Sequence, residues 1–446
     1  MYDFLIAVLS VGLVLGFMIL IHEFGHYITA KWFGVRVEVF SIGFGRRLAG
    51  FRKGDTDYRI SAIPLGGYVK MTGENPMEAR SGDPGEFLSH PRWQRFVIAI
   101  AGPAMNILLA IVLLTTVFMV HYEHPVYLDQ QAKIGWVLDD TPAAKLGVEP
   151  GDRIARIDGI QNPTWEQVLP KVALSPNQPI DVTLQRGDQF IEKTIVPTPM
   201  GVDQYGVAGW VEDQPNTITD LEPDMPAAKA GLKVGDDLVA VNGVPVKSMG
   251  AVIRMLQQNG DKPVSITVVR NRQQQSFSMQ PKLTEVEGLG KRWRVGIQSD
   301  PQTVEQLAFV PALRKSLEEN KKNSFLILEL VQKMVRRKVS LRTIEGPIGI
   351  ARASGEAARE RGWTPLLALT AAISLNLGIF NLFPIPIMDG GVILLLAIEG
   401  IMRRDISLQI KERIYQAAFV FLVLFAVMVI YNDLMKALPG VAQRLP

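Results

Sequence analysis

The sequence predicts an α-helical membrane protein with four transmembrane helices, a membrane-associated β-hairpin or sheet after the first helix, and two inserted α+β domains. Three observations support this fold class: four long apolar segments, a β-type stretch after the first of them, and an internal repeat in the middle of the chain. A chain of 446 residues is also too long for one ordinary domain. The net charge of +3 does not indicate nucleic-acid binding, and the absence of cysteine excludes disulfides and thiolate metal ligands.

The four apolar segments meet the requirement of roughly 20 apolar residues for a helix that crosses a bilayer. They predict transmembrane helices at 1–30, 95–121, 365–399 and 414–432. The first segment lacks a basic start and a small-residue cleavage site, so we interpret it as a retained helix rather than a signal peptide. Lys and Arg are concentrated in the loops after the first span and between the last two, which favours a cytoplasmic position for both loops.

The segment at 31–94 is predicted to be a β region on the cytoplasmic side, followed by a loop. SIGFGRRL and DYRISAIPLGGYVKM combine β-branched and aromatic residues with glycine and proline, a composition typical of strands or a hairpin. A different pattern at 303–342 predicts an amphipathic helix region. We expect it to lie on the outer membrane surface, with packing against the inserted domains as the alternative.

The internal repeat defines the two inserted domains. PAAKLGVEPGDRIARIDG at 142–159 matches PAAKAGLKVGDDLVAVNG at 226–243 in register, and each copy predicts a short helix, a strand and a tight turn. These residues resemble PDZ domains of the bacterial protease type, which implies circularly permuted PDZ domains at 129–212 and 215–300. In that arrangement the peptide-pairing strand ends the domain. The resemblance therefore implies grooves for peptide C-termini at Tyr205, Gly206, Val207, Val295, Gly296 and Ile297.

The first span ends in a His-Glu-x-x-His motif. Residues four apart lie on one face of a helix, so His22 and His26 can face one metal ion with Glu23 beside it as a general base. A catalytic zinc normally has three protein ligands and a water molecule. Trp32 and Arg46 occupy the positions at which soluble enzymes with this motif often place the third ligand, which must therefore come from elsewhere.

Asp389 in NLFPIPIMDGG is the best candidate for the third ligand, because an ionisable residue inside a span is costly and indicates function. The remaining histidines lie in a loop or at the outer end of the second span: His90, His121 and His124. The sequence thus predicts one zinc ion per chain, held by His22, His26 and Asp389. The alternative is that Asp389 caps a short re-entrant helix.

His-Glu-x-x-His in the first span combined with Asn-x-x-Pro-x-Pro-x-x-Asp-Gly-Gly in the third resembles the intramembrane zinc proteases called site-2 proteases. The resemblance covers essentially the whole chain, including SIGFG at 41–45, IPLGGYVKM at 63–71 and AGPAMN at 101–106. It implies a multi-pass protein of the bacterial inner membrane, with periplasmic PDZ domains and an active site toward the cytoplasm. The implied substrates are single-span membrane proteins: anti-sigma factors already trimmed on the outer side, and remnant signal peptides.

A substrate that spans the membrane must be unwound, because its peptide bonds are shielded by helical hydrogen bonds. Strand addition along Gly67, Tyr68 and Val69 would give the unwound backbone new partners. Asn381 and Asn376 are predicted to bind the substrate backbone or the oxyanion, a role that the family resemblance supports most directly for Asn381.

Several alternatives to these interpretations stay open. Packing between helices is an equal alternative for Asn376, and we interpret Asn106 as packing. A catalytically inactive PDZ scaffold is the alternative function, which the intact Glu23 disfavours. A zinc transporter is a weaker alternative, because the second and fourth spans have almost no acidic or histidine residues.

Overall fold

The computed structural model describes residues 2–75, 82–125, 127–200, 204–213, 216–246, 248–286, 290–299, 302–359 and 362–437. In these ranges the α-helices are α1 (Tyr2–Phe33), α2 (Arg92–Val120), α3 (Pro142–Lys145), α4 (Trp165–Ala173), α5 (Pro226–Ala230), α6 (Met249–Asn259), α7 (Phe309–Val335), α8 (Pro347–Arg359), α9 (Thr364–Asn381), α10 (Asp389–Met402) and α11 (Leu408–Ala437).

The strands of the described residues form small antiparallel sheets. They are β1 (Val37–Lys53), β2 (Thr56–Met71), β3 (Tyr122–Pro125), β4 (Ile134–Val137), β5 (Arg153–Ile157), β6 (Ile160–Gln161), β7 (Ile180–Arg186), β8 (Gln189–Ile195), β9 (Thr198–Met200), β10 (Tyr205–Val207), β11 (Trp210–Glu212), β12 (Asp220–Leu221), β13 (Asp237–Val241), β14 (Val244–Pro245), β15 (Val264–Arg270), β16 (Gln273–Met279), β17 (Lys282–Val286), β18 (Gly290–Arg294), β19 (Ile297–Gln298) and β20 (Gln302–Glu305).

The chain forms two compact units. The first, here called the membrane unit, comprises Met1–Tyr122, Gln306–Val331 and Ile344–Pro446, and the second, the inserted unit, comprises Glu123–Glu305 and Gln332–Thr343. Four helices of the membrane unit are long and apolar enough to cross a bilayer: Val11–Phe33, Arg92–Val120, Thr364–Asn381 and Leu408–Lys436. Many apolar side chains of α11 are exposed, as expected for a helix that contacts lipid.

Strands β1 and β2 form one long antiparallel hairpin directly after α1, with repeated register shifts along its length. At its open end Thr72 N–H donates to the Arg36 carbonyl oxygen at 2.9 Å. Val35 and Val37 are buried in a cluster with Ala30 of α1 and Ile98 of α2, and Val69 and Met71 pack against this cluster. This packing holds the end of β2 beside the helix that carries the His-Glu-x-x-His motif.

The third span, predicted as one helix at 365–399, is divided into α9 and α10 by the turn at 382–388. Pro384 and Pro386 lack the N–H groups that a continuous helix needs. Gly390 and Gly391 then pack so closely on the turn that an added Cβ would lie within 3 Å of the carbonyl groups of Leu382 and Ile385. The break places Asp389 at the first residue of α10.

The prediction that region 303–342 lies on the outer membrane surface is corrected by α7, which packs against α2. Ala312 is buried with Val117 and Phe118 of α2, and Ser316 Oγ donates to the Ile111 carbonyl oxygen at 2.9 Å. Ala312 and Ser316 are small residues four positions apart, so they allow a close approach between helices.

Helix α8 was not predicted from the sequence. Its first turn is capped by Asp433 of α11, whose buried carboxylate accepts N–H bonds at 2.9 to 3.2 Å from Gly346, Ile348 and Gly349. A carboxylate at a helix N-terminus satisfies free N–H groups and interacts favourably with the helix dipole. This capping fixes α8 to the last span.

The two repeats of the inserted unit fold alike. Each has a four-stranded sheet, in the orders β6-β5-β7-β8 and β14-β13-β15-β16. The repeated Gly-Asp turn has the same role in both, because Asp152 pairs with Arg186 at 2.7 Å and Asp236 pairs with Arg270 at 2.6 Å. The paired arginine and a backbone N–H hold the pKa of each aspartate below its usual range.

Candidate active site

Three predicted ligand residues converge in the membrane unit. Asp389 Oδ2 lies 3.1 Å from His22 Nε2, and Asp389 Oδ1 lies 3.3 Å from His26 Nε2. The two Nε2 atoms are 3.2 Å apart, and all three donor groups lie within 4.8 Å of one another. Two imidazole nitrogens and one carboxylate are a donor set typical of catalytic zinc.

The hydrogen bonds of the two histidines favour metal binding at Nε2. His26 Nδ1 lies 2.8 Å from the Ile98 carbonyl oxygen, which can only accept, so the proton of a neutral His26 is on Nδ1. Its Nε2 lone pair then points at His22 Nε2. Two facing nitrogens at this distance need a proton or a cation between them, so the arrangement fits a metal ion.

Asn106 of α2 lies behind His22. Its side chain is fully buried, and its carboxamide is 3.2 Å from His22 Nδ1. A metal on Nε2 leaves the proton on Nδ1, and the carboxamide oxygen is then the acceptor. The sequence indicated only packing for this residue, whereas the structure adds a contact with a predicted ligand. A buried amide in an otherwise apolar span was the signal for it.

Gly102 of α2 provides the space in front of the two histidines. A Cβ atom at this position would lie within 3 Å of the Nε2 atoms of both His22 and His26. Any larger residue would therefore fill the space between the ligands and the second span.

Glu23 is adjacent to the ligand group and contacts the hairpin. Its Oε2 accepts a hydrogen bond from Val69 N–H at 3.0 Å. Gly67 lies on the same stretch of β2, where an added Cβ would be 3.8 Å from Glu23 Cγ, and the Tyr68 ring stacks on Phe44. The predicted strand residues and the predicted general base are thus brought together.

A cavity of about 540 Å³ contains the three ligands and Glu23. Asn381, the last residue of α9, lines it. Asn376 is not among the described residues that line the cavity, which favours the packing alternative for this residue. The sequence did not single out four charged residues of the cavity wall: Glu74, Arg95, Glu399 and Lys411.

Two of these charged residues form a buried ion pair. Lys411 Nζ lies 2.7 Å from Glu399 Oε1, and Glu399 is almost completely buried. The pair links the end of α10 to the start of α11. Glu74 lies in the turn after β2, where burial raises its pKa to about 7 although the Met71 N–H bond lowers it.

The predicted peptide grooves of the inserted unit are narrow. In the first repeat a Cβ at Gly206 of β10 would lie within 3 Å of the Val172 carbonyl oxygen of α4, so strand and helix are in contact. In the second, Val295, Gly296 and Ile297 line a cavity of about 200 Å³ beside α6.

Gln257 of α6 closes the second groove at the backbone of Trp293. Its Nε2 donates to the Trp293 carbonyl oxygen at 2.8 Å, and its Oε1 accepts from Trp293 N–H at 3.0 Å. Both backbone groups that an added peptide strand would use are therefore taken.

A metal-type donor set and a general base on a membrane-crossing helix define a membrane metalloprotease. The chain belongs to peptidase family M50, whose model matches residues 10–425. It is thus a zinc metalloprotease of the site-2 type and a multi-pass membrane protein.

Similar proteins cover nearly the whole chain. The regulator of sigma-E protease RseP of Salmonella typhimurium strain 14028s is 31% identical over 448 residues, which is 94% of this chain and 96% of the relative. The protein of the same name from Escherichia coli K12 is 31% identical over 97% of this chain and 99% of the relative. A solved PDZ domain of an SdrC-like protein from Listeria monocytogenes covers 20% of this chain and 87% of the domain, at 19% identity and a TM-score of 0.17.

Proposed function

We propose that this enzyme cleaves single-span membrane proteins within or near the membrane, using one zinc ion held by His22, His26 and Asp389. The convergence of these three side chains with Glu23 in one cavity carries the proposal. The cavity wall contains charged groups as well as apolar ones, so water can reach a site that lies on a membrane helix.

The residues of the site have separate tasks in hydrolysis. When bound, zinc supplies a Lewis acid that polarises the scissile carbonyl and lowers the pKa of the attacking water. Glu23 accepts the proton of that water and delivers it to the leaving amine. Asn381 donates its carboxamide N–H to the developing oxyanion. Ile98 and Asn106 hold the two imidazoles in the required tautomer.

The hairpin edge holds the unwound substrate. Val69 N–H points into the cavity, and Gly67 leaves room for a second backbone. An extended segment that pairs with this edge exchanges its lost helical bonds for new ones.

The names of the relatives support the substrate class. Both are called regulators of sigma-E protease, which is consistent with anti-sigma factors that have been trimmed on the outer side, and remnant signal peptides form a second class. We place the protein in the bacterial inner membrane, with the permuted PDZ domains in the periplasm and the active site toward the cytoplasm. The basic loops after the first span and between the last two support this orientation.

The proposal predicts that co-expressed single-span substrates are cut inside their span. A trimmed, tagged anti-sigma-type protein should yield a membrane-derived fragment with the wild type and none with Glu23→Gln. Immunoblotting measures the fragment, and mass spectrometry locates the cut. A cut outside the span, or equal cleavage by both enzymes, would contradict the proposal.

The inserted domains select substrates by size. Their narrow first groove and the Gln257 contact in the second disfavour capture of peptide C-termini. In the proposed orientation both domains lie on the outer side, between the second and third spans, so a bulky outer domain on a substrate meets them first.

Deletion of residues 131–299 is therefore expected to let the enzyme cut an untrimmed substrate that the wild type leaves intact. The in-cell assay compares trimmed and full-length forms with both enzymes, and cleavage of the trimmed form shows that the deletion variant is folded. If the folded variant still leaves the full-length form intact, the selection is not by size.

A further inference from the structure

The edge of β2 that faces the cavity carries two backbone N–H groups, and glutamate side chains occupy both. Val69 N–H donates to Glu23 Oε2, and Met71 N–H donates to Glu74 Oε2, each at 3.0 Å. The next N–H along the chain, that of Thr72, points to the opposite side and bonds Arg36. Alternate residues of a strand direct their N–H groups to opposite edges, so Val69 and Met71 share the edge away from β1.

An added strand would need these same two N–H groups. Carbonyl oxygens two residues apart on a paired strand accept from N–H groups two residues apart on its neighbour. Val69, Met71 and Glu74 all line the cavity of the three ligand residues. The carboxylates of Glu23 and Glu74 therefore stand where two substrate carbonyl groups would bind.

The two glutamates differ in what they lose when a substrate arrives. Glu23 has a second task at the attacking water, so leaving Val69 frees it for that task. Glu74 has no such neighbour: its printed partner is Met71 N–H, and it lies on the turn that ends β2. A carboxylate bond of this kind is roughly twice as strong as a bond to a neutral acceptor. A substrate carbonyl must compete with it.

We infer that Glu74 is a positioning residue that covers Met71 N–H in the free enzyme and gives way to the backbone of an unwound substrate. The inference rests on the proposed pairing of substrate with β2. A segment that is still helical has its carbonyl groups bonded internally and cannot take the place of Glu74. An extended segment can, so Glu74 favours substrates that unwind readily.

Glu74→Ala should therefore lower KM and leave kcat unchanged. The expected decrease in KM is about five- to tenfold, the contribution of one hydrogen bond to a charged group. Glu74→Gln retains a neutral acceptor and should give an intermediate KM. The assay uses the purified full-length zinc enzyme in detergent, with a synthetic single-span peptide that carries a fluorophore and a quencher.

Glu38→Ala is the matched control. Glu38 lies on β1, where it pairs with Lys70 at 2.8 Å, and its loss should leave KM unchanged. An unchanged or raised KM in Glu74→Ala overturns the inference, since a structural or substrate-binding role would give that result. If Glu74→Ala does not fold, the KM of Glu74→Gln relative to wild type decides in the same way. Failure of the wild type to cut the peptide contradicts the proposed function instead.

Discussion

Glu23→Gln is expected to reduce peptide cleavage by about 10³-fold, within the range that a positioned acid–base group contributes. A neutral amide cannot accept the proton of the attacking water at any working pH. Gln has the shape of Glu, so its side-chain oxygen can still accept the Val69 N–H bond that Glu23 accepts. The ligands do not change, and the variant should bind zinc as the wild type does.

Two measurements on one preparation check this expectation: turnover of a quenched single-span peptide, and zinc per chain by elemental analysis. Glu38→Gln, a glutamate replaced on the outer strand of the hairpin, is the control and should keep normal turnover. Turnover in Glu23→Gln above a tenth of the wild-type rate would mean that another group takes the proton.

Asp389→Ala is expected to weaken zinc binding by at least about 100-fold, because even groups that only orient metal ligands are worth 10- to 100-fold in affinity. Both Asp389 oxygens face the histidines, at 3.1 and 3.3 Å, so the substitution removes the carboxylate from the ligand group. Cleavage should fall in parallel and return in part at high zinc concentration.

The alternative for Asp389 was a helix cap, and Asp389→Asn separates the two roles. Asn satisfies free N–H groups at a helix start nearly as well as Asp does, but its neutral amide is a poor zinc ligand. Normal zinc content in Asp389→Asn would support capping and contradict ligation. Asp405→Ala, which removes an aspartate paired with Arg92 at 2.8 Å, is the control and should keep its zinc.

The fold was predictable where one signal dominates a segment. Four apolar segments, the β-type composition of 37–71 and the repeat at 142 and 226 each agree with elements of the structure. Helix α8 escaped prediction because ARASGEAAR is short and poor in large apolar residues. The placement of α7 depended on Ala312 and Ser316, small residues whose fit to α2 is a tertiary effect.

The site was predictable to the extent that its chemistry is rare in a membrane. His22, His26 and Asp389 are ionisable residues in apolar surroundings, and that contrast is visible in the sequence. Glu74 follows a strand in a stretch of glycine and asparagine, where an acidic residue is ordinary. Its position at the cavity depends on the register of the hairpin, which composition does not determine.

The cap that Asp433 provides for α8 bears on how the enzyme is made. Ribosomes release the His-Glu-x-x-His helix first, whereas Asp389 and Asp433 emerge close to the end of synthesis. Until α11 has been inserted, α8 has no carboxylate for its first turn, and it is one of the helices that pack against α1. A growing chain therefore holds half a metal site and an incomplete helix bundle, and proteolytic power arrives only when translation is almost finished.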